Sequence, residues 1–441
     1  MRAPGFFENN ARGAGGRCPL RTRLLRPCIL FFLAVSALSV CALAQDGAAD
    51  AGGVSRAESI ADAEVEKSKH LSALKPPPGE EKFDHIQDKI IDRLFNPNGF
   101  GLKFGGLPTG GGFSLGPQYN RPDMLEDHLD SSTFAVGSTH KWFGGQTSLD
   151  FDNLLNGHLE LRTDGGYLDA ASVYYFGEGP DSTTKDMTDF GREFTTVHFA
   201  VLGHFFDQKL TLGYAAGGLF AHVVPGNRGG IPTTEQIFTE ANTPGLVRQS
   251  NFVTGTTIVQ LDLRRTGFSN PGGLLLEADD SQFFDESGYN SNFHLLQTQA
   301  TYYVPITNGM RSLVFRLRNV TAFAGNHQIV PFYLQPTLGG PDDLRGFDRY
   351  RYYGNGASVA SAEYRWSVSQ TLEMAIFGDG GNVYTRPGLI GFRDLHGDGG
   401  IGFRIKNKQL TVMRFDLGIS SEGVHVWFVF NDVFGKVYRT F

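Results

Sequence analysis

The sequence predicts an all-β protein that crosses a membrane as an antiparallel β-barrel. Three observations carry this expectation. Apolar and polar residues alternate with period 2 from about residue 100 to the end, an export leader stands at the N-terminus, and no apolar helical span follows it. Alternation alone indicates a sheet with one wet and one dry face, which a soluble sandwich also provides. An exported envelope protein without apolar runs of about 20 residues crosses a bilayer, if it crosses, as a closed barrel.

The leader is read first. Arg21, Arg23 and Arg26 precede a nearly continuous apolar stretch, Cys28 to Ala44, that ends in Ala42-Leu43-Ala44. A basic region, an apolar core and small residues at −3 and −1 make a secretory signal peptide over 1–44, with cleavage after Ala44. Lipid attachment at Cys41 is disfavoured by Val40, which stands where a small residue is wanted. All three cysteines, Cys18, Cys28 and Cys41, fall in this segment. The mature chain is therefore expected to carry neither a disulfide nor a thiolate metal site. Six arginines and one glutamate leave with the leader, so the mature chain is more acidic than the −7 of the whole. That sign disfavours nucleic acid as a partner.

Residues 45–81 read as a disordered polar linker, rich in Ala, Asp, Glu and Lys and closed by Pro76-Pro77-Pro78. Such a composition buries too little apolar surface to fold alone. A short amphipathic helix is expected over 82–98. Phe83, Ile86, Ile90, Ile91 and Leu94 recur at helical spacing, and the Asn-Pro-Asn-Gly run at 96–99 stops it. Its apolar stripe would dock at the mouth of the barrel or plug it.

The barrel domain is assigned to 99–441. Met413, Phe415, Leu417 and Ile419 alternate with Arg414, Asp416, Gly418 and Ser420. Val259, Leu261 and Leu263 alternate with Gln260, Asp262 and Arg264, and Leu313, Phe315 and Leu317 face away from Arg316 and Arg318. Ala362, Tyr364 and Trp366 alternate with Glu363, Arg365 and Ser367, while Leu372, Met374 and Ile376 alternate with Glu373, Phe377 and Asp379. Aromatics on the dry face suit interfacial girdles, and charges of both signs on the other face suit a watery lumen. Joints such as Thr307-Asn308-Gly309 are short, whereas 223–250 is long and polar. Short turns on one side and long loops on the other are the outer-membrane arrangement.

One segment, Leu338-Gly-Gly-Pro-Asp-Asp-Leu-Arg-Gly-Phe347, asks for more than a turn. Together with Ala360-Ser-Ala-Glu-Tyr-Arg-Trp366, Phe377-Gly-Asp-Gly-Gly381 and Tyr174-Tyr-Phe-Gly-Glu-Gly-Pro180, it resembles the BamA/TamA family of outer-membrane proteins, or bacterial surface antigens, over roughly Gly99 to Phe434. The resemblance implies sixteen strands and a long extracellular loop folded back into the lumen. It also implies a lumen latch: Arg345, Gly346 and Phe347 at the loop tip, with Arg345 paired to Glu363 and Asp379 on the inner wall beside Gly381. Both acids fall on the polar face by the parity given above. A guanidinium is a planar, always-charged, bidentate donor suited to that contact. Family members usually carry periplasmic domains before the barrel, and 45–98 is too short and polar for one, so a barrel-only branch is expected. The strand-end signal is assigned to Phe434, where relatives end in phenylalanine, or to the terminal Phe441.

The function implied is non-enzymatic: assisting insertion or translocation of polypeptide, or lipid, at the outer membrane. The alternative is a passive pore or structural barrel. Partners would be outer-membrane lipids and unfolded outer-membrane or secreted polypeptides, with the barrel itself a monomer. No cofactor or metal is expected. The twelve histidines show no metal-ligand spacing, and there is no Gly-x-Ser-x-Gly elbow. The paired acids Asp342-Asp343 and Asp279-Asp280 read as solvated loop residues rather than a catalytic dyad.

Overall fold

The computed structural model describes residues 98–430 apart from 109, 127, 266–271, 308–309, 370, 387–394 and 408–409. The expected leader, linker and N-terminal helix, and both Phe434 and Phe441, lie outside the described residues.

Sixteen strands form one antiparallel sheet in which each pairs with its neighbour in sequence. The first half comprises β1 (Gly99–Phe104), β2 (Ser114–Met124), β3 (Leu129–Ser138), β4 (Phe143–Leu154), β5 (Leu159–Tyr175), β6 (Thr188–Phe205), β7 (Leu210–Pro225) and β8 (Phe252–Asp262). The second comprises β9 (Gly273–Asp285), β10 (Phe293–Thr307), β11 (Arg311–Ala324), β14 (Gly356–Ser367), β15 (Leu372–Tyr384), β16 (His396–Asn407), β17 (Leu410–Ser420) and β18 (Gly423–Val429). Between β11 and β14 lies a two-stranded ribbon, β12 (Thr337–Leu338) with β13 (Tyr352–Tyr353). A single helical turn, α1 (Thr234–Ile237), sits between β7 and β8.

Alternation decides what each strand face meets. Phe199, Val201, Tyr214, Tyr302, Phe315 and Ile376 are exposed on the outer wall. An apolar band of that extent is stable only against hydrocarbon. The two ends of the sheet approach each other: Phe430, just past β18, packs on Phe104 of β1 at 6.2 Å between ring centroids and on Phe113 at 5.8 Å. Among the described residues no strand pairing joins β1 to β18.

Joints at the end where β1 begins are mostly short, as between β6 and β7 or β16 and β17, while 226–251 and 325–355 are long and lie at the other end. The long-loop end is the extracellular one. The loop expected from residue 223 begins later, because β7 continues to Pro225. β5 and β6, at 17 and 18 residues, exceed the roughly 9–11 that a bilayer requires. Their extracellular ends bury an aromatic cluster in which Tyr175 meets Phe332 at 5.2 Å and Tyr353 at 4.8 Å, and Phe190 meets Phe332 at 4.8 Å. This cluster fixes both ends of the long 325–355 loop to the wall.

Candidate functional site

The 325–355 loop turns sharply at Gly339 and Gly340, whose φ angles of 114° and 105° favour glycine. A Cβ on Gly339 would lie 2.2 Å from the Asp348 carbonyl oxygen. From this turn, residues 341–347 run against the inner face of β11 and β14–β18, and Leu344, Arg345 and Phe347 are all buried.

Arg345 is fully buried. Its Nε donates to Asp379 Oδ2 at 2.7 Å and its Nη2 to Asp379 Oδ1 at 2.9 Å, a two-pronged contact with β15. Its Nη1 donates to Glu363 Oε1 on β14. The guanidinium carbon lies 3.4 Å from the centre of the Phe377 ring. The Arg345 carbonyl accepts from Trp427 Nε1 of β18 at 2.6 Å. Burial alone would lower the pKa of this arginine, but Asp379 and then Glu363 outweigh it, so the group stays charged.

Glu363 serves three arginines. Besides Arg345 it accepts from Arg365 Nε at 2.7 Å and from Arg404 Nη2 of β16 at 2.8 Å. Around this centre other loop atoms find cations. Arg414 Nη2 donates to Asp342 at 2.8 Å and its Nη1 to the Pro341 carbonyl at 2.7 Å, while also holding Asp416. Arg318 Nη1 donates to Asp343 at 2.7 Å, and Arg316 Nη2 to the Asp342 carbonyl at 2.7 Å. Buried charges persist when they are paired and hydrogen-bonded in this way.

The glycines have steric reasons. A Cβ on Gly346 would lie 2.5 Å from Asp398 Cβ and 2.9 Å from Ser420 Cβ. On the facing strand, a Cβ on Gly418 would lie 2.3 Å from the Arg345 carbonyl oxygen. Gly381 lets Leu338 approach β15, since its Cβ would lie 3.1 Å from Leu338 Cδ1. Phe347 packs on Tyr352 and His396 at 5.8 and 6.0 Å. All six residues expected at the loop contact are therefore within one buried site.

Two sequence readings are corrected. Asp342 and Asp343 are 7% and 9% exposed and ion-paired, not solvated. Asp279 and Asp280 lie within β9 rather than in a loop, and Asp280 meets His294 at 2.9 Å. Nor is the polar face wet on this side of the barrel: Glu363, Arg404, Arg414 and Asp416 are each at most 1% exposed, because the loop covers them. Sequence reasoning missed Arg404, Arg414, Asp416 and Trp427 as members of the site. Parity places Arg414 and Asp416 on the inner face, but it cannot say that a loop some 70 residues earlier lies on them.

The Omp85 superfamily domain matches residues 256–420, which include the loop and its wall on β11 and β14–β17 but not β18. That match identifies this second half of the barrel as an Omp85 superfamily domain. Among solved structures, this chain is similar to BamA from Haemophilus ducreyi lacking POTRA domains 1–3, at 12% identity over 75% of this chain and 69% of that one, with a TM-score of 0.56. It is also similar to CdiB from Escherichia coli, at 10% identity over 74% of this chain and 61% of that one, with a TM-score of 0.51. At such identities the likeness is one of fold. No curated protein sequence matches the chain. The barrel resides in the bacterial outer membrane, which supplies the hydrocarbon that its outer wall requires.

Proposed function

We propose that this barrel assists the insertion or translocation of polypeptide, or of lipid, at the outer membrane, without enzymatic chemistry, and that the loop tipped by Arg345 is latched in its lumen while it does so. The single observation that carries the reading is the placement of Arg345. Its side chain reaches β14 and β15, and its carbonyl is held by Trp427 on β18. The latch thus acts on the last strand, next to the edge where Phe430 meets Phe104 and Phe113. Among the described residues side chains, and no backbone ladder, bring this edge together; such an edge separates at lower cost than a laddered one, and an opened edge is a template for an incoming strand.

The test uses a cysteine pair, Phe104→Cys with Phe430→Cys, since the chain's own cysteines all lie at or before Cys41. Oxidised protein in vesicles is expected to stop inserting a denatured client barrel, and reductant to restore insertion. Insertion that proceeds equally in the locked barrel overturns the edge mechanism. No insertion by the unlocked barrel, with steady conductance in planar bilayers, would make it a passive pore instead.

A further inference from the structure

The outer wall is not uniformly convex. Over β2–β6 it carries a trough of about 700 Å³ with an almost entirely apolar lining. Its floor is made of small residues that point outward, Ala135, Gly145 and Gly165. Its sides are Leu115, Phe143, Tyr167 and Val197, all exposed on the same wall. Register explains the shape. Gly145 is paired between Ala135 and Tyr167, and Gly165 between Thr147 and Val197, so two adjacent rows of the sheet lack bulk at their centre. At Gly165 an added Cβ would meet only the Thr196 carbonyl oxygen, at 3.7 Å.

The row immediately above, toward the extracellular ends, is charged. Phe143 pairs with Asp169, Asp169 with Glu193, and Glu193 with His222. His222 Nδ1 lies 3.2 Å from Glu193 Oε2, and the His222 side chain is 63% exposed. The trough is therefore continuous with the lipid-facing band and ends at an acidic row at the level where headgroups begin.

We infer that this trough seats one acyl chain of a zwitterionic aminophospholipid, with its ammonium group against Asp169 and Glu193. The occupant follows from what must cover the wall. An apolar recess in hydrocarbon fills with a chain, because leaving it empty forfeits dispersion contacts along its whole length. The headgroup follows from charge: two carboxylates at the rim favour an ammonium and disfavour a lipid whose headgroup carries net negative charge.

The full-length barrel is reconstituted in vesicles of palmitoyl-oleoyl phosphatidylethanolamine, or of the phosphatidylglycerol with the same chains. It is then extracted in mild detergent and weighed by native mass spectrometry. Wild type is expected to retain one phosphatidylethanolamine after the bulk lipid is lost, and at least fivefold less phosphatidylglycerol. Gly165→Leu, which fills the trough, should lose the bound lipid. Gly380→Leu, in an open position on β15 with nothing within 4 Å of its Cβ, should keep it. Thr147→Phe narrows the same trough without touching a glycine and should also lose the lipid. Its heat-modifiable band separates lipid loss from misfolding. Equal lipid on wild type and on folded Gly165→Leu and Thr147→Phe overturns the seat. Equal retention of phosphatidylglycerol overturns the headgroup assignment.

Discussion

Replacing Arg345 by alanine removes three charge-assisted hydrogen bonds at once, and the two acids that receive them do not suffer equally. Asp379, 5% exposed, loses both prongs of its contact. Glu363 loses one donor of three and keeps Arg365 and Arg404. Breaking a buried pair from one side costs about 3–5 kcal/mol, mainly as an uncompensated charge, and here most of that falls on Asp379. If the contact is absent from the transition state for unfolding, thermal loss of the compact form accelerates by about two to four decades. The assay is the rate at which the heat-modifiable compact band disappears, with protease cleavage within 325–355 in intact outer membranes as the readout of loop release. Arg345→Lys should recover only part of the loss, since an ammonium cannot form the fork. Asp379→Asn should resemble Arg345→Ala, and the double variant should fall short of the sum by about 0.5–3 kcal/mol. Additive effects, or a protected loop and an unchanged rate in Arg345→Ala, would refute the latch.

Glu363→Gln leaves Arg345, Arg365 and Arg404 around a neutral amide. It should destabilise the barrel more than Asp379→Asn by the same band assay. Gly346→Ala must push against Asp398 and Ser420; a cost of about 1–3 kcal/mol and a protease-sensitive loop are expected. Trp427→Phe keeps the ring but removes the donor to the Arg345 carbonyl. It should cost about 1–3 kcal/mol through an unsatisfied buried acceptor, read as a lower temperature of band loss. Arg414→Met removes one donor from the Asp342 carboxylate and one from the Pro341 carbonyl, so cleavage should begin near Pro341 while Arg345 still holds the tip.

How far the site was legible differs from residue to residue. Parity alone puts Glu363, Asp379, Arg414 and Asp416 on the inner face, because side chains alternate strictly along a strand. The resemblance carried by Arg345-Gly346-Phe347 supplied the pairing of Arg345 with Glu363 and Asp379. No rule of composition or period distinguishes Asp342 and Asp343 from ordinary turn acids, since their burial comes from Arg414 and Arg318 on strands distant in sequence.

By itself the sequence determined the strand faces, the period and the side on which the long loops fall. These are local consequences of backbone geometry and of which residues tolerate hydrocarbon. Only the tertiary structure decided that one wall of the lumen is dry. It also decided that a single carboxylate serves three arginines, that Trp427 ties the loop to the last strand, and that Ala135, Gly145 and Gly165 line up into a trough on the outer face. Each depends on register between strands or on a loop folding back across several of them. Register is set by the sum of many weak cross-strand contacts rather than by any one stretch of chain.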